Sequence, residues 1–158
     1  MVDDLALARA IHVLAVTHWI GGVAVVTTIV LPRARAISDP WRAVEFFESF
    51  ERQFARQVRV SILLVGLSGI YMLTRLNAWN MFRDPSFWWL HLMIAVWLVF
   101  ALVVYVLEPI FLHRRFHDFA LRNKDRAFTA AVGFHIVLLT VAAIAIAAGV
   151  LGAAGALG

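Results

Sequence analysis

Cysteine is absent from all 158 residues, which removes disulfides, thiolate metal sites, iron–sulfur clusters and covalent haem attachment through sulfur. Methionine occurs only as Met1, Met72, Met81 and Met93, too scattered for the thioether cluster that a dedicated Cu(I) path would need. Charged residues are scarce, at 15% of the chain, and they bunch. Between the bunches lie uncharged runs long enough to cross a hydrocarbon core, which takes about 20 apolar residues per helix. Any cofactor must therefore be held by His, Met, Tyr, carboxylate or backbone.

What is present in excess is apolar. Hydrophobic residues make up 63% of the chain, against about 45–50% in soluble globular proteins. The formal net charge of +4 comes from arginines that flank apolar spans and form no solvated basic surface. That distribution excludes nucleic acid as a partner and fits the enrichment of cations at one membrane face.

Four spans are expected, at about 5–31, 58–76, 87–112 and 127–155, in one all-α bundle integral to the membrane. The first is too long for a signal-peptide core and has neither a basic leader nor a small-residue cleavage site, so it reads as a retained helix. It should close at Pro32, before Arg33 and Arg35. Between the first two spans, Val44, Phe47, Phe50 and Phe54 recur at helical spacing with Glu45, Glu48, Arg52 and Arg56 off that stripe. This predicts an amphipathic helix at the interface, running into the second span. The polar stretch NAWNMFRDPS, with Pro85, reads as a loop, and so does HRRFHDFALRNKDR. The last span is rich in Ala and Gly, with Gly149 and Gly152 near its end, which permits close helix contact.

Orientation follows from arginine and lysine counts in short loops. The connection after the first span carries Arg33, Arg35, Arg42, Arg52, Arg56 and Arg59; that after the third carries Arg114, Arg115, Arg122, Lys124 and Arg126. The middle connection has only Arg75 and Arg83. A multi-pass protein of the bacterial cytoplasmic membrane with both ends extracytoplasmic is the expectation.

Ionisable side chains inside a bilayer are costly and mark functional sites by default. Four of six histidines qualify: His12 and His18 on the first span, His91 on the third and His135 on the fourth. At a rise of about 1.5 Å per residue in a core of about 30 Å, His12 lies about 10 Å and His91 about 6 Å below the extracytoplasmic edge. On the same scale, His18 lies about 20 Å down and His135 about 18 Å above the opposite edge. Two depth-matched pairs result. Imidazoles at one level on different helices can hold an iron porphyrin from its two faces, and four-helix bundles build such sites in their cores. The six-residue step from His12 to His18 turns the helix by about 240°, so one ring does not use both. Copper competes for the same donors, and a bland alternative has each histidine bonded to a carbonyl or hydroxyl on a neighbouring helix. His113 and His117 read as solvated or headgroup-facing residues of the basic loop.

Other residues add less. Trp79, Trp88, Trp89 and Trp41 fit aromatic belts at the two interfaces. Trp19, seven residues after His12, shares its face and is a candidate wall for a porphyrin pocket, with core packing as the alternative. Gly21, Gly22, Gly66 and Gly69 would let a flat macrocycle or a helix approach closely. Arg9, Arg75 and Arg83 lie where haem propionates would be held. Glu108, near the cytoplasmic end of the third span, reads as a salt-bridge partner of Arg114 or Arg115, with proton or cation relay as the alternative.

The stretch ARAIHVLAVTHWIGGVAVVTTIVLP resembles the opening helix of the CopD-like superfamily of four-helix membrane proteins, and FERQFARQVRVSILLVGLSGIYML its second helix. WWLHLMIAVWLV resembles the third helix, most closely in HemJ-type protoporphyrinogen oxidases. Members of that superfamily are linked to copper uptake, haem b binding and protoporphyrinogen oxidation. The resemblance implies that His12 is an axial ligand. It also puts Met93 where the HemJ-type pattern has a lysine, so oxidase activity is not implied with it.

The expectation is a haem b protein, with one haem or two, using His12 and His91 first and His18 and His135 second. Bis-histidine ligation leaves no open iron position and favours electron transfer with a quinone or a redox partner protein. Copper or cation transport of the CopD type, and a structural or assembly subunit of a larger membrane complex, are the alternatives. A homo-oligomer is compatible with each.

Overall fold

The structure is a computed structural model that describes residues 3–157, with side chains throughout except at 110–114. Met1 and the side chains of His113 and Arg114 therefore lie outside the described residues. Among these, five helices and two short 3₁₀ turns account for nearly the whole chain, and there is no strand. Four of the helices are long and apolar enough to cross a membrane.

Helix α1 runs from Asp4 to Ala36, capped by the Asp3 carboxylate, which accepts from the Leu5 backbone N–H. It does not close at Pro32. Residues Val26–Val30 widen into π-helical turns immediately before that proline. Such turns carry the chain past a residue that lacks an N–H and would crowd a preceding carbonyl in a regular helix. The same device recurs in α3, which is regular over Trp88–Leu102 and π-helical over Val103–Leu112, around Pro109.

Helix α2 spans Pro40–Arg75, with proline in its first turn and Asp39 accepting from the Arg42 backbone N–H. The amphipathic entry and second span are thus one helix, as the stripe predicts. Asn77 ends it in the left-handed region, φ 50°, a conformation asparagine tolerates. In the following turn Asp84 accepts from the backbone N–H and hydroxyl of Ser86, and these bonds hold its carboxyl below the usual carboxylate range.

The stretch expected to be a charged loop is instead helix α4, His113–Arg122, leading into α5, Lys124–Ala153. Burial on one side explains it. Ala120 is fully buried, and Phe116 packs against Phe47 of α2 and Phe128 of α5. The apolar positions share one helical face that the charge count had hidden.

The bundle order is α1–α2–α3–α5, each packed on the next, with α1 also touching α5. Helices α1 and α3 face each other across the centre, where Trp19 meets Phe100 edge-on with ring centroids 4.6 Å apart. Around this pair sit Val23, Ile62, Val96 and Ala142. Outward-facing Leu14, Val60, Leu67, Val137 and Val150 are all more than half exposed. An apolar exterior of this extent is tolerable only against lipid.

Two glycines are seats for aromatic rings. A Cβ at Gly66 would lie 2.6 Å from the Trp97 ring, and one at Gly22 would lie 2.1 Å from Phe54. The Trp97 indole N–H donates to the Ile62 carbonyl at 2.9 Å, so that ring cannot slide without losing a bond. Gly66→Ala is therefore expected to destabilise the bundle by about 1–3 kcal/mol through overpacking. Gly21→Ala, where nothing lies within 4 Å of the added Cβ, should be neutral or more stable by up to about 1 kcal/mol. Parallel unfolding curves in detergent check both.

Candidate functional site

The intramembrane histidines divide between seams of the bundle. Along α1 and α2 a single antiparallel register brings three polar contacts together, from one end of the pair toward its middle. At the end, Asp4 accepts from the Arg75 guanidinium and the Tyr71 hydroxyl at 2.7 and 2.8 Å. Next, the half-buried His12 places Nδ1 3.0 Å from Ser68 Oγ. Below it, His18 places Nδ1 2.9 Å from Ser61 Oγ. Gly69 leaves room for the His12 ring to lie against α2, since a Cβ there would stand 3.7 Å from it in ordinary contact.

The tautomer of His12 can be deduced. The Ser68 hydroxyl has one hydrogen, and it points at the Leu64 carbonyl, 2.5 Å away, with the Val65 carbonyl at 3.2 Å. Ser68 Oγ is then an acceptor towards the ring, so His12 Nδ1–H is the donor, and in the neutral ring Nε2 carries the lone pair. His135 Nδ1–H donates to the Ala131 carbonyl at 2.9 Å, and His91 Nδ1–H to the Phe87 carbonyl at 3.3 Å. A carbonyl can only accept, so in the neutral form these rings also carry the lone pair on Nε2. One nitrogen held by an acceptor and the other unprotonated is the state in which imidazole ligates a metal.

The depth-matched pairs are not brought into contact. His12 closes on α2, whereas His91 is exposed on α3, its ring edge-on to Phe82 of the loop at 5.5 Å. His18 is exposed at the α1–α2 seam, and His135 lies on α5 beside Phe134. Among the described residues, no group of three or more His, Cys, Asp or Glu is disposed to hold a bare metal ion.

His135 lines a cavity of about 90 Å³ at the centre of the bundle, together with Trp19, Glu51, Phe54, Phe100 and Glu108. Trp19 is 4% exposed, and its indole N–H is the one buried side-chain polar atom without a partner among the described residues. The cavity is large enough for several water molecules, and the Trp19 side chain forms part of its lining. Trp19 is thus a core residue with an unmet donor, the packing role that its sequence position allowed.

The arginines proposed for propionates are placed as follows. Arg75 is engaged by Asp4. Arg9 and Arg83 are exposed near the same end of the bundle. Met93 packs on Gly149 in the α3–α5 seam, where an added Cβ would meet its sulfur at 2.3 Å. The position that resembles the lysine of the HemJ-type helix is therefore filled by apolar packing.

No family model, curated protein or solved structure matches the chain.

Several partners of the candidate residues are invisible to spacing. Ser61 and Ser68, which orient the histidines, are more than 40 residues away from them in sequence. Glu108 forms a 2.7 Å pair with Arg59 of α2, a partner on a different helix from the Arg114 or Arg115 expected by proximity. His117 is half-buried and donates to the buried Glu48 carboxylate at 2.8 Å, with Trp41 edge-on to its ring. It ties α4 to α2 and is no freely solvated loop residue. A helical reading of 113–122 would have placed His117 and Ala120 on one side and flagged this.

Proposed function

We propose that this protein binds haem b within the membrane, with His12 as an axial ligand, and carries electrons. The observation that carries the reading is the way the imidazoles are held: Nδ1 is engaged by an oxygen acceptor at His12, His91 and His135, which leaves Nε2 of the neutral ring to ligate. Such rings are monodentate donors set apart from one another. A bare copper ion needs at least two protein donors converging on one point, whereas a porphyrin brings four nitrogens and asks the protein for one or two.

By donor chemistry the residues fit that group. His12 is preferred because its orienting serine sits on a second helix, which fixes the ring independently of α1. His91 lies at the same depth and is the first candidate for the opposite axial position; His18 and His135 supply a second level. Arg9 and Arg83, exposed at the same end as His12, suit propionates. The bound iron would supply a one-electron couple, and the chain's role is to hold it, insulate it and set its potential through these hydrogen bonds. A quinone or a membrane redox partner is the natural exchange partner. The resemblance of the first three spans to the CopD-like superfamily, with Met93 where the HemJ-type pattern has a lysine, agrees with haem binding without that oxidase chemistry. The arginine-rich connections between the spans support placement in a bacterial cytoplasmic membrane with both ends outside.

The test is an optical spectrum and pyridine haemochrome assay of detergent-purified protein from haem-replete cells, with copper measured in parallel. A Soret band, split reduced α/β bands and at least one haem b per chain are expected. Colourless protein, or stoichiometric copper without porphyrin, overturns the reading.

A further inference from the structure

One face of α2 at the α4 end of the bundle carries Ser49, Arg52, Gln53, Arg56 and Arg59, which recur at three- and four-residue steps. Together with Glu108 and Pro109 of α3 they line an open cleft of about 650 Å³. Glu108, the one carboxylate in this lining, is engaged by Arg59 at 2.7 Å. That pair pins the floor of the cleft, and Tyr105 reinforces it by donating to the Arg59 carbonyl. Arg52 and Arg56, one turn apart and exposed, have no ion-pair partner among the described residues. Two planar guanidinium groups so placed present several donors in the geometry that takes a tetrahedral oxyanion.

The level of the cleft in the membrane follows from the helix itself. Arg56 stands 19 residues before Arg75, the last residue of α2. At about 1.5 Å per residue that is about 28 Å, close to the thickness of a hydrocarbon core. Arg52 and Arg56 therefore sit at headgroup depth on one side when Arg75 sits at that depth on the other. Directly along the same face of the helix come Val60, Leu63 and Leu67, four, seven and eleven residues past Arg56, each more than half exposed. A phosphate held by Arg52 and Arg56 thus has an apolar strip running into the bilayer beneath it.

We propose that this cleft is a binding site for the headgroup phosphate of an anionic phospholipid of the phosphoglycerol class, with acyl chains laid along Val60, Leu63 and Leu67. The chemistry recognised is the phosphate monoanion, and the apolar strip is what commits the site to lipid over free phosphate. The lipid clamps α2 to the π-helical end of α3, where the Arg59–Glu108 pair and the Tyr105 bond also join them.

The full chain is placed in nanodiscs of phosphatidylcholine with a minor fraction of phosphatidylglycerol, and lipid retained after release is read by native mass spectrometry. The expected result is retained phosphatidylglycerol, enriched over phosphatidylcholine, with enrichment lowered about thirtyfold in Arg52→Gln/Arg56→Gln. Arg83→Gln, at the other end of the bundle, should retain it as the wild type does. Should the double glutamine variant fail to yield monodisperse protein, Arg52→Lys/Arg56→Lys keeps the charge and removes the forks, and a several-fold loss is expected. Three results overturn the proposal: equal retention of the two lipids, wild-type retention in the arginine variants, or displacement of phosphatidylglycerol by millimolar inorganic phosphate. The last would assign the cleft to a soluble anion.

Discussion

Replacing His12 by alanine is expected to remove the haem signal, lowering haem b content at least tenfold in protein purified at wild-type yield. Two features make the effect large. The ring is held between its own helix and Ser68 of α2, so no other imidazole can take its place without rebuilding the α1–α2 seam. The nearest alternative on α1, His18, points about 240° away around the helix and is committed to Ser61. Ser68→Ala sharpens the prediction. It leaves the ligand in place and removes the acceptor that fixes its tautomer, a change that typically weakens metal affinity about 10–100-fold. Haem should remain detectable in Ser68→Ala when haem is in excess and should be lost more readily to a competing apoprotein. If His12→Ala keeps full haem content with an unshifted spectrum, His12 is not a ligand. Wild-type haem transfer in Ser68→Ala would remove the argument from the hydrogen bond.

Trp19→Ala is expected to cost about 3–5 kcal/mol in unfolding, as for other fully buried large aromatic side chains cut to alanine. The ring is 96% buried and sits edge-on to Phe100 at 4.6 Å, the contact that joins α1 to α3 across the centre. Trp19→Phe should behave very differently. Phenylalanine keeps an aromatic ring against Phe100 and removes the unpartnered N–H. A buried donor without an acceptor costs about 1–3 kcal/mol, so its removal offsets most of the lost volume. A small change in Trp19→Phe beside a large one in Trp19→Ala, measured by reversible unfolding in mixed micelles, is the expected outcome. A loss in Trp19→Phe approaching that of alanine would mean that the N–H has an acceptor in the cavity, such as a bound water shared with Glu51, Glu108 or His135.

The four spans were legible in the amino-acid sequence because the physical quantity behind them is local. A run of apolar residues must be about 20 long to cross the bilayer, whatever its neighbours are. The amphipathic entry of α2 was legible for a similar reason, since Phe47, Phe50 and Phe54 repeat within one helix. Pro32 was misread as a stop because a proline ends a regular helix, whereas the π-helical residues Val26–Val30 before it let α1 continue to Ala36. Helix α4 was misread as a loop because its charges were counted without their faces. The burial of Ala120 and Phe116 against α2 and α5 is what makes those residues helical.

The candidate site was half legible. That His12, His18, His91 and His135 lie inside the membrane follows from their positions along apolar runs, and their depths follow from a fixed rise per residue. Their partners do not. Ser68 and Ser61, Arg59 with Glu108, and His117 with Glu48 are each joined across 43 to 69 residues of sequence. Sequence thus determined how far along each helix axis a residue stands, because the helical rise is a property of the chain alone. Only the tertiary structure decided which way each imidazole faces and what holds it. Rotation about the axis and choice of neighbour depend on how ridges and glycine gaps of separate helices fit together, as where Gly69 admits the His12 ring and Gly66 the Trp97 ring.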